Sequence, residues 1–123
     1  MTLSHIVDLI IGAILVLGMA FLFGGPPVRA AECAKASYYC CQHHGRLMAN
    51  GRPFNQNAMT AAHKTLPLGA VVRATSGSKS VQVTITDRGP YARGRIIDLS
   101  KAAFERLAPT SRGVIPICVT RLR

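Results

Sequence analysis

Apolar and polar residues alternate over the central part of the chain. Val81, Val83 and Ile85 are separated by polar residues, which is the pattern of a strand with one buried face. Gly-Pro at 89–90 ends this run, and a second apolar run follows over 95–99. Glycine and proline interrupt regular structure, so the pattern predicts two strands separated by a tight turn.

An aspartate lies at or just beyond the end of each of these two strands. They are Asp87 and Asp98, two of only four acidic residues that follow the hydrophobic N-terminal stretch. A strand end can hold a carboxylate rigidly beside a groove. In such a basic chain, this placement is the first indication of a functional site.

The remaining predicted elements are short. They are strands over 36–39, 70–75 and 114–122, a hairpin turn at 76–78, a helical turn over 57–64 and a helix over 101–107 capped by Ser100. Five or six short strands with one or two short helices indicate an all-β fold, either a small closed barrel or a sandwich.

The N-terminal stretch predicts export. Residues 9–23 form an uncharged apolar run of 15 residues, and small residues suited to signal peptidase follow at 28–31. The run suits a signal-peptide core and is short for a spanning helix, although no Lys or Arg occurs in the first 28 residues. We therefore divide the chain into 1–31, a cleaved signal peptide or an uncleaved membrane anchor, and 32–123, one exported domain.

The exported part is strongly basic. From residue 31 onward it has 14 Lys and Arg against 4 Asp and Glu, a net charge of +10. This charge indicates either a solvated basic surface or a polyanionic partner. Export argues against nucleic acid, as does the small number of aromatic residues, with three Tyr, four Phe and no Trp, which provides no stacking platform. Contact with a membrane is expected only through an uncleaved anchor.

Four cysteines lie in the exported part, namely Cys33, Cys40, Cys41 and Cys118. An even count in an oxidising compartment predicts two disulfides. A bond between the adjacent Cys40 and Cys41 would be strained, so we expect each of them to pair with Cys33 or Cys118. The cysteines and histidines at 40–44 match no zinc spacing, and we predict neither a metal nor another cofactor.

Seven motifs occur in an order that resembles one known family. They are Ala-Ser-Tyr-Tyr at 36–39, His-Gly-Arg at 44–46, Ala-Asn-Gly at 49–51, Thr-Ala-Ala-His at 60–63, Thr-Leu-Pro-Leu-Gly at 65–69, Thr-Asp-Arg-Gly-Pro at 86–90 and Gly-Arg-Ile-Ile-Asp-Leu-Ser at 94–100. Together they resemble the rare-lipoprotein-A-like double-psi β-barrel domains of bacterial cell walls, over residues 36–122.

This resemblance implies a six-stranded double-psi β-barrel that acts on peptidoglycan glycan strands in the periplasm or cell envelope. Active members are lytic transglycosylases, which cleave the MurNAc–GlcNAc bond and leave a 1,6-anhydro sugar. We expect a monomer. Because no glycan-binding repeat domain follows in this chain, targeting to the septum is not expected.

The resemblance also implies a site. Its catalytic residues would be His63, Asp87 and Asp98. Its substrate-binding residues would be Tyr39, Arg46, Asn50, Arg52, Arg88 and Tyr91. Cleavage of a glycosidic bond requires a general acid with a raised pKa, and only the two aspartates of this set carry a carboxyl group.

One residue departs from the family pattern. Active members have Glu after the Asn-Gly turn, where this chain has Arg52, and an arginine cannot donate a proton at working pH. An Arg52 close to Asp87 would also lower the pKa of that carboxyl. Another carboxylate, such as Glu105, could occupy the vacated space. Two alternatives therefore stand, a lytic transglycosylase and a non-catalytic wall-binding module of the expansin type.

Overall fold

The computed structural model describes residues 31–123, which form a closed barrel of six strands. The strands are β1 (Glu32–Tyr39), β2 (Thr60–His63), β3 (Val71–Ser76), β4 (Lys79–Asp87), β5 (Arg95–Ser100) and β6 (Ile115–Arg121). One short helix, α1 (Lys101–Glu105), and a 3-10 turn (Thr110–Arg112) lie between β5 and β6. The predicted all-β fold with one or two short helices is confirmed.

The strands do not follow one another around the barrel. Their order is β1-β5-β2-β4-β3-β6, with β1 beside β6 closing the ring. Two pairs, β1 with β5 and β2 with β4, are parallel, and the other four are antiparallel. A parallel pair requires a long connection between its strands. Each of these parallel pairs is bridged by a stretch of chain that includes other strands. The longest connection between consecutive strands, residues 40–59 between β1 and β2, lies at the candidate site.

Alternation along the strands separates an apolar interior from a polar outer wall. Ile97 and Leu99 of β5 are fully buried in the core, together with Ile85 of β4 and Val72 of β3. Successive side chains of a strand point to opposite faces. Asp98, between Ile97 and Leu99, therefore lies on the outer face of the barrel wall.

Helix α1 is fixed to the barrel at its first residue. The Ser100 hydroxyl accepts a hydrogen bond from the Ala103 amide at 3.2 Å, as expected of an N-cap. The same hydroxyl donates to the Ala58 carbonyl, and Phe104 is fully buried against Tyr38. The predicted cap is confirmed. The helix ends two residues earlier than predicted.

The predicted helical turn over 57–64 is wrong, because Thr60–His63 is strand β2. This segment is bonded on both sides, to β4 and to β5. Its sequence, Thr-Ala-Ala-His, has no alternation and contains two strong helix formers, but pairing on both edges overrides local propensity. A turn does occur just before it, where the Ala58 amide donates to the Asn55 carbonyl.

The predicted pairing of the cysteines is also wrong. Cys33 bonds to Cys118, while Cys40 and Cys41 have free thiols. Cys33 and Cys118 are direct partners in the antiparallel β1–β6 register, with Cα atoms 4.1 Å apart. Cys40 and Cys41 follow the far end of β1, several residues of extended strand away, and cannot reach this pair.

The predicted signal peptide or anchor, residues 1–31, lies outside the described part of the chain except for Ala31. Within residues 31–123, no helix is both long and apolar enough to cross a membrane.

We predict that the disulfide makes a large contribution to the stability of the barrel. It joins residues 85 positions apart, and closing so long a loop in the unfolded chain is worth about 4 kcal/mol in the chain-entropy account. Replacing both Cys33 and Cys118 by alanine should lower the free energy of unfolding, measured with urea on the full chain, by a few kcal/mol. Replacing Cys40 and Cys41 by serine is the matched control and should leave it nearly unchanged. Equal losses in the two double variants would contradict the assignment.

Candidate active site on the outer wall

The candidate site lies on the outside of the barrel, where β1, β2 and β5 are neighbours. Ser37 is the register partner of Asp98, and Asp98 is also paired with Ala62. Side chains directly opposite each other in neighbouring strands share one face of the sheet. Tyr39, two residues after Ser37, lies on that face too.

A backbone hairpin at residues 45–54 covers this part of the wall. Its two arms pair at Leu47 and Pro53, and the amide of Phe54 donates to the carbonyl of Arg46 at 2.7 Å. Gly51 at its tip has a φ of 83°, a backbone conformation that glycine adopts without the steric strain of other residues.

The tip of this hairpin is attached to the end of β4. The Ala49 amide donates to Oδ1 of Asp87 at 2.9 Å, and the Asn50 amide donates to the Thr86 carbonyl at 3.2 Å. The Thr86 hydroxyl donates to the sulfur of Met48 at 3.3 Å. Two of these bonds use backbone amides of the hairpin, so the cover is held largely independently of its side chains.

The space between hairpin and wall is a cavity of about 190 Å³. Its lining combines two carboxylates, two arginines, two aromatic rings and a histidine with three apolar side chains. The lining residues are Tyr39, His43, Arg46, Leu47, Met48, Phe54, Ala62, Asp87, Arg88 and Asp98. A concave site with a few convergent polar groups is typical of a ligand-binding site.

Asp98 has the properties of a proton donor. Its burial raises its pKa from 3.8 to about 6, and the charge of Asp87 acts in the same direction. The hydroxyl of Ser37 donates to Oδ1 of Asp98 at 3.0 Å. This bond, with the charges of Arg95 and His43, opposes the rise in pKa. Burial is the largest effect, so Asp98 carries a proton through mildly acidic conditions.

Asp87 is held in a different way. Its Oδ1 accepts hydrogen bonds from two backbone amides, those of Ala49 and Arg88, each at 2.9 Å. Such bonds fix the orientation of a carboxylate. The site therefore combines a buried carboxyl group, Asp98, with an oriented one, Asp87.

Tyr39 places an unpaired hydroxyl at the same cavity. Its oxygen is buried and has no hydrogen-bond partner within the described residues. Burial raises the pKa of Tyr39, and the charges of Asp87 and Asp98 add to the rise. Its ring packs against Phe54 with centroids 4.3 Å apart. A buried donor without a partner is costly, and a ligand oxygen in the cavity could satisfy it.

His63 is not brought to this cavity. It follows Ala62 on β2, so its side chain points to the opposite face of the strand. Its Nδ1 accepts from the amides of Thr65 and Leu66 at 3.2 and 3.1 Å, and its Nε2 lies 3.3 Å from Oε1 of Glu32. Both ring nitrogens are thus engaged within the protein. A catalytic role for His63 stays a prediction, and its contacts are those of a residue that fixes the turn after β2.

The predicted arginines differ in their placement. Arg46 and Arg88 line the cavity. Nη1 of Arg88 donates to the carbonyls of His63 and Leu66 at 3.1 and 2.7 Å, so this guanidinium also holds the turn behind the site. Arg52 is exposed at the hairpin tip and does not line the cavity.

Arg52 was considered as a neighbour of Asp87, but the two residues do not form an ion pair. Within residues 31–123, the pairs at 4.0 Å or less are His63–Glu32 and Lys101–Glu105. Glu105 is therefore engaged on helix α1, and it does not line the cavity.

Two other predicted substrate-binding residues lie outside the cavity lining. The amide oxygen of Asn50 accepts from the backbone of Arg52 at 2.9 Å within the hairpin tip. Tyr91 is 81% exposed. Both could contact only those parts of a long ligand that extend beyond the cavity.

Three polar or aromatic residues of the site were not predicted from the sequence. Ser37 positions Asp98, Phe54 lines the cavity, and His43 lines it with its ring centroid 6.0 Å from that of Tyr39. Ser37 could have been found from its spacing, because it precedes Tyr39 by two residues on a predicted strand. His43 and Phe54 lie outside the strands, where the spacing of residues does not indicate which way a side chain points.

Comparisons with known proteins agree with this architecture. The family model described as lytic transglycolase, a double-psi β-barrel domain, matches residues 31–119. An endolytic peptidoglycan transglycosylase RlpA of Rickettsia prowazekii is 47% identical over 101 residues, covering 78% of this chain and 32% of the relative. The protein of the same name from Campylobacter jejuni is 44% identical over 84 residues, covering 67% and 30%.

A solved structure supports the fold independently. The Streptomyces papain inhibitor has a TM-score of 0.63 and 28% identity, over 79% of this chain and 98% of the inhibitor. The chain belongs to the lytic transglycolase family, with the double-psi β-barrel that the motifs predicted. It spans about a third of the length of the two curated relatives.

We predict that Asp98 makes stability depend on pH. A carboxyl whose pKa is raised on folding stabilises the protein fully below about pH 4, and this contribution is lost as the pH rises through about 6. Asp98→Asn stays neutral and keeps a partner for Ser37. As the pH rises from 4.5 to 7.5, the free energy of unfolding of the variant should increase relative to that of wild type by on the order of 2 kcal/mol. Urea unfolding of both proteins, with the disulfide intact, measures this difference. Glu105→Gln, at an exposed carboxylate, should show no such gain, and equal behaviour of the two variants would contradict the burial of Asp98.

Proposed function

We propose that the chain is an exported lytic transglycosylase that cleaves MurNAc–GlcNAc bonds of peptidoglycan, with Asp98 as its general acid. The observation that carries the proposal is the pair of carboxyl groups at one cavity, where burial raises the pKa of Asp98 to about 6 beside the oriented Asp87. The names of the relatives, endolytic peptidoglycan transglycosylases, support this reaction and a place in the cell envelope.

The proposed reaction needs only one proton donor. Asp98 gives its proton to the glycosidic oxygen as the bond to C1 of MurNAc breaks, and GlcNAc leaves with a free hydroxyl. The 6-hydroxyl of the same MurNAc attacks C1, and the Asp98 carboxylate takes up the hydroxyl proton. The products are a GlcNAc end and a 1,6-anhydro-MurNAc end, no water is consumed, and Asp98 returns to its protonated form.

Asp87 and Tyr39 have supporting roles in this scheme. Positive charge develops on the sugar ring as the glycosidic bond breaks, and the fixed negative charge of Asp87 at the cavity stabilises it. The unpaired hydroxyl of Tyr39 donates a hydrogen bond to a sugar oxygen, which removes the cost of its burial. The ring of Tyr39, supported from behind by the buried Phe54, provides an apolar surface for a sugar face.

Arg52 favours a second candidate, a non-catalytic wall-binding module. This residue stands where the family pattern has an acid, and the basic surface suits an anionic polymer. The two functions make different predictions for Asp98, because only the enzyme needs its proton. Binding to insoluble peptidoglycan that weakens with salt and survives Asp98→Asn, together with no release of products, would favour the binding module.

We predict that purified peptidoglycan treated with the full chain releases anhydro-muropeptides detectable by mass spectrometry. Release should fall as the pH rises above about 6, because Asp98 then loses its proton. Asp98→Asn should reduce release at least a hundredfold, the scale of a general acid's contribution. Glu105→Gln is the matched control and should match wild type. No product from wild type between pH 5 and 8 would overturn the enzymatic proposal.

Arg52→Glu tests the departure from the family pattern. The hairpin tip is held through the backbone amides of Ala49 and Asn50, so the variant should keep the fold and restore a carboxylate beside the cavity. We expect anhydro-muropeptide release to increase several-fold. Arg52→Gln, which removes the positive charge without adding an acid, is the control. An equal increase in both variants would assign the effect to the lost charge, and no increase in either would exclude Arg52 as the limit on activity.

A further inference from the structure

Two adjacent cysteines follow strand β1 and take no part in the proposed reaction. The sulfurs of Cys40 and Cys41 lie 2.8 Å apart. Neither belongs to the disulfide at the other end of β1, and neither lines the cavity. Cys41 is exposed and Cys40 is partly buried. The two thiols thus differ in access although they are in direct contact.

The surroundings of Cys41 favour its thiolate. The hydrogen bond with Cys40 is the largest effect that lowers the pKa of Cys41, and a backbone hydrogen bond and the positive charge of Lys101 act in the same direction. A thiolate is the nucleophile in disulfide exchange, and reactive cysteines are accessible ones near positive charge. Cys41 meets both conditions, and its partner thiol is already within reach.

We propose that Cys40 and Cys41 form a thiol–disulfide exchange site for low-molecular-weight disulfides. The Cys41 thiolate attacks one sulfur of such a disulfide, which gives a mixed disulfide and releases one thiolate. Cys40 loses its proton to solvent, and its sulfur attacks the Cys41 sulfur and displaces the second thiolate. One disulfide is reduced to two thiols, and Cys40 and Cys41 are oxidised to a disulfide with each other.

The second step is fast for a geometric reason. The Cys40 sulfur is already 2.8 Å from its target sulfur, so it acts at a high effective concentration. The mixed disulfide on Cys41 is therefore a short-lived intermediate. A chain without the Cys40 thiol would retain the adduct.

The disulfide formed in this way is easily reduced again. A disulfide between adjacent residues closes a small ring that contains one peptide bond, and the planar trans preference of that peptide strains the ring. Strained and exposed disulfides are the labile ones. Cys33 and Cys118 are cross-strand partners and serve as a stable internal reference.

The experiment uses the full chain, mildly reduced so that the Cys33–Cys118 bond remains, and oxidised glutathione as the probe. After alkylation of the remaining thiols, intact mass and peptide mapping should show that Cys40 and Cys41 of the wild type are protected together and carry no glutathione. Reduced glutathione should then restore both thiols while Cys33–Cys118 stays intact. Cys40→Ser should accumulate one stable glutathione adduct on Cys41. Cys41→Ser should form its adduct at Cys40 at least tenfold more slowly.

Three results with the wild type would each overturn the proposal. They are stable glutathione adducts on the wild type, wild-type thiols that stay free under these conditions, or oxidised Cys40 or Cys41 found bonded to Cys33 or Cys118. Failure of Cys40→Ser to form an adduct would also overturn it, because Cys41 would then not be the attacking thiol. Both side chains lie outside the hydrophobic core, so the serine variants should fold, and the persistence of the Cys33–Cys118 bond checks that they do.

Discussion

The candidate site depends on the hydrogen bonds that attach the tip of the 45–54 hairpin to the end of β4. The Ala49 amide donates to the carboxylate of Asp87, and the Asn50 amide donates to the Thr86 carbonyl. The hairpin thereby becomes a cover over the outer wall. Without the cover, Asp98 would be a surface carboxylate on β5 and its pKa would have little reason to rise. The bond from Ala49, with that from the Arg88 amide, also orients Asp87. The attachment therefore contributes both to the orientation of one carboxylate and to the desolvation of the other.

The barrel itself allows this arrangement because its interior and its site are separate layers. Core residues such as Ile97 and Leu99 face inward and are fully buried, while Asp98 between them faces the cover. Desolvation of the Asp98 carboxyl group costs free energy. The well-packed strand β5 can carry this group because it does not enter the core. The crosslink between β1 and β6 lies at the other end of β1, where it stabilises the barrel away from the chemistry.

The sequence predicted the parts of the fold that are locally encoded. The β4 strand alternates strictly and was found, as were Asp87 at its end and the Ser100 cap. Asp98 was expected at the end of its strand, but it lies within β5, which continues to Ser100. Strand β2 was missed because Thr-Ala-Ala-His is helical by propensity and is extended only through its two neighbours. The faces of His63 and Ala62, and the pairing of Cys33 with Cys118, depend on strand register. Register is a property of the assembled barrel, and a single sequence does not show it.

The way the hairpin is held has an evolutionary consequence. Its tip is fastened mainly through main-chain amides, those of Ala49 and Asn50, and every residue except proline supplies such a donor. The side chains at the tip can therefore be substituted during evolution without detaching the hairpin from β4. Replacement of an acidic residue by Arg52 at this position would therefore leave the architecture of the groove unchanged. In this family, loss or change of chemistry would then precede any loss of shape, so that shape alone is a poor guide to which members are active.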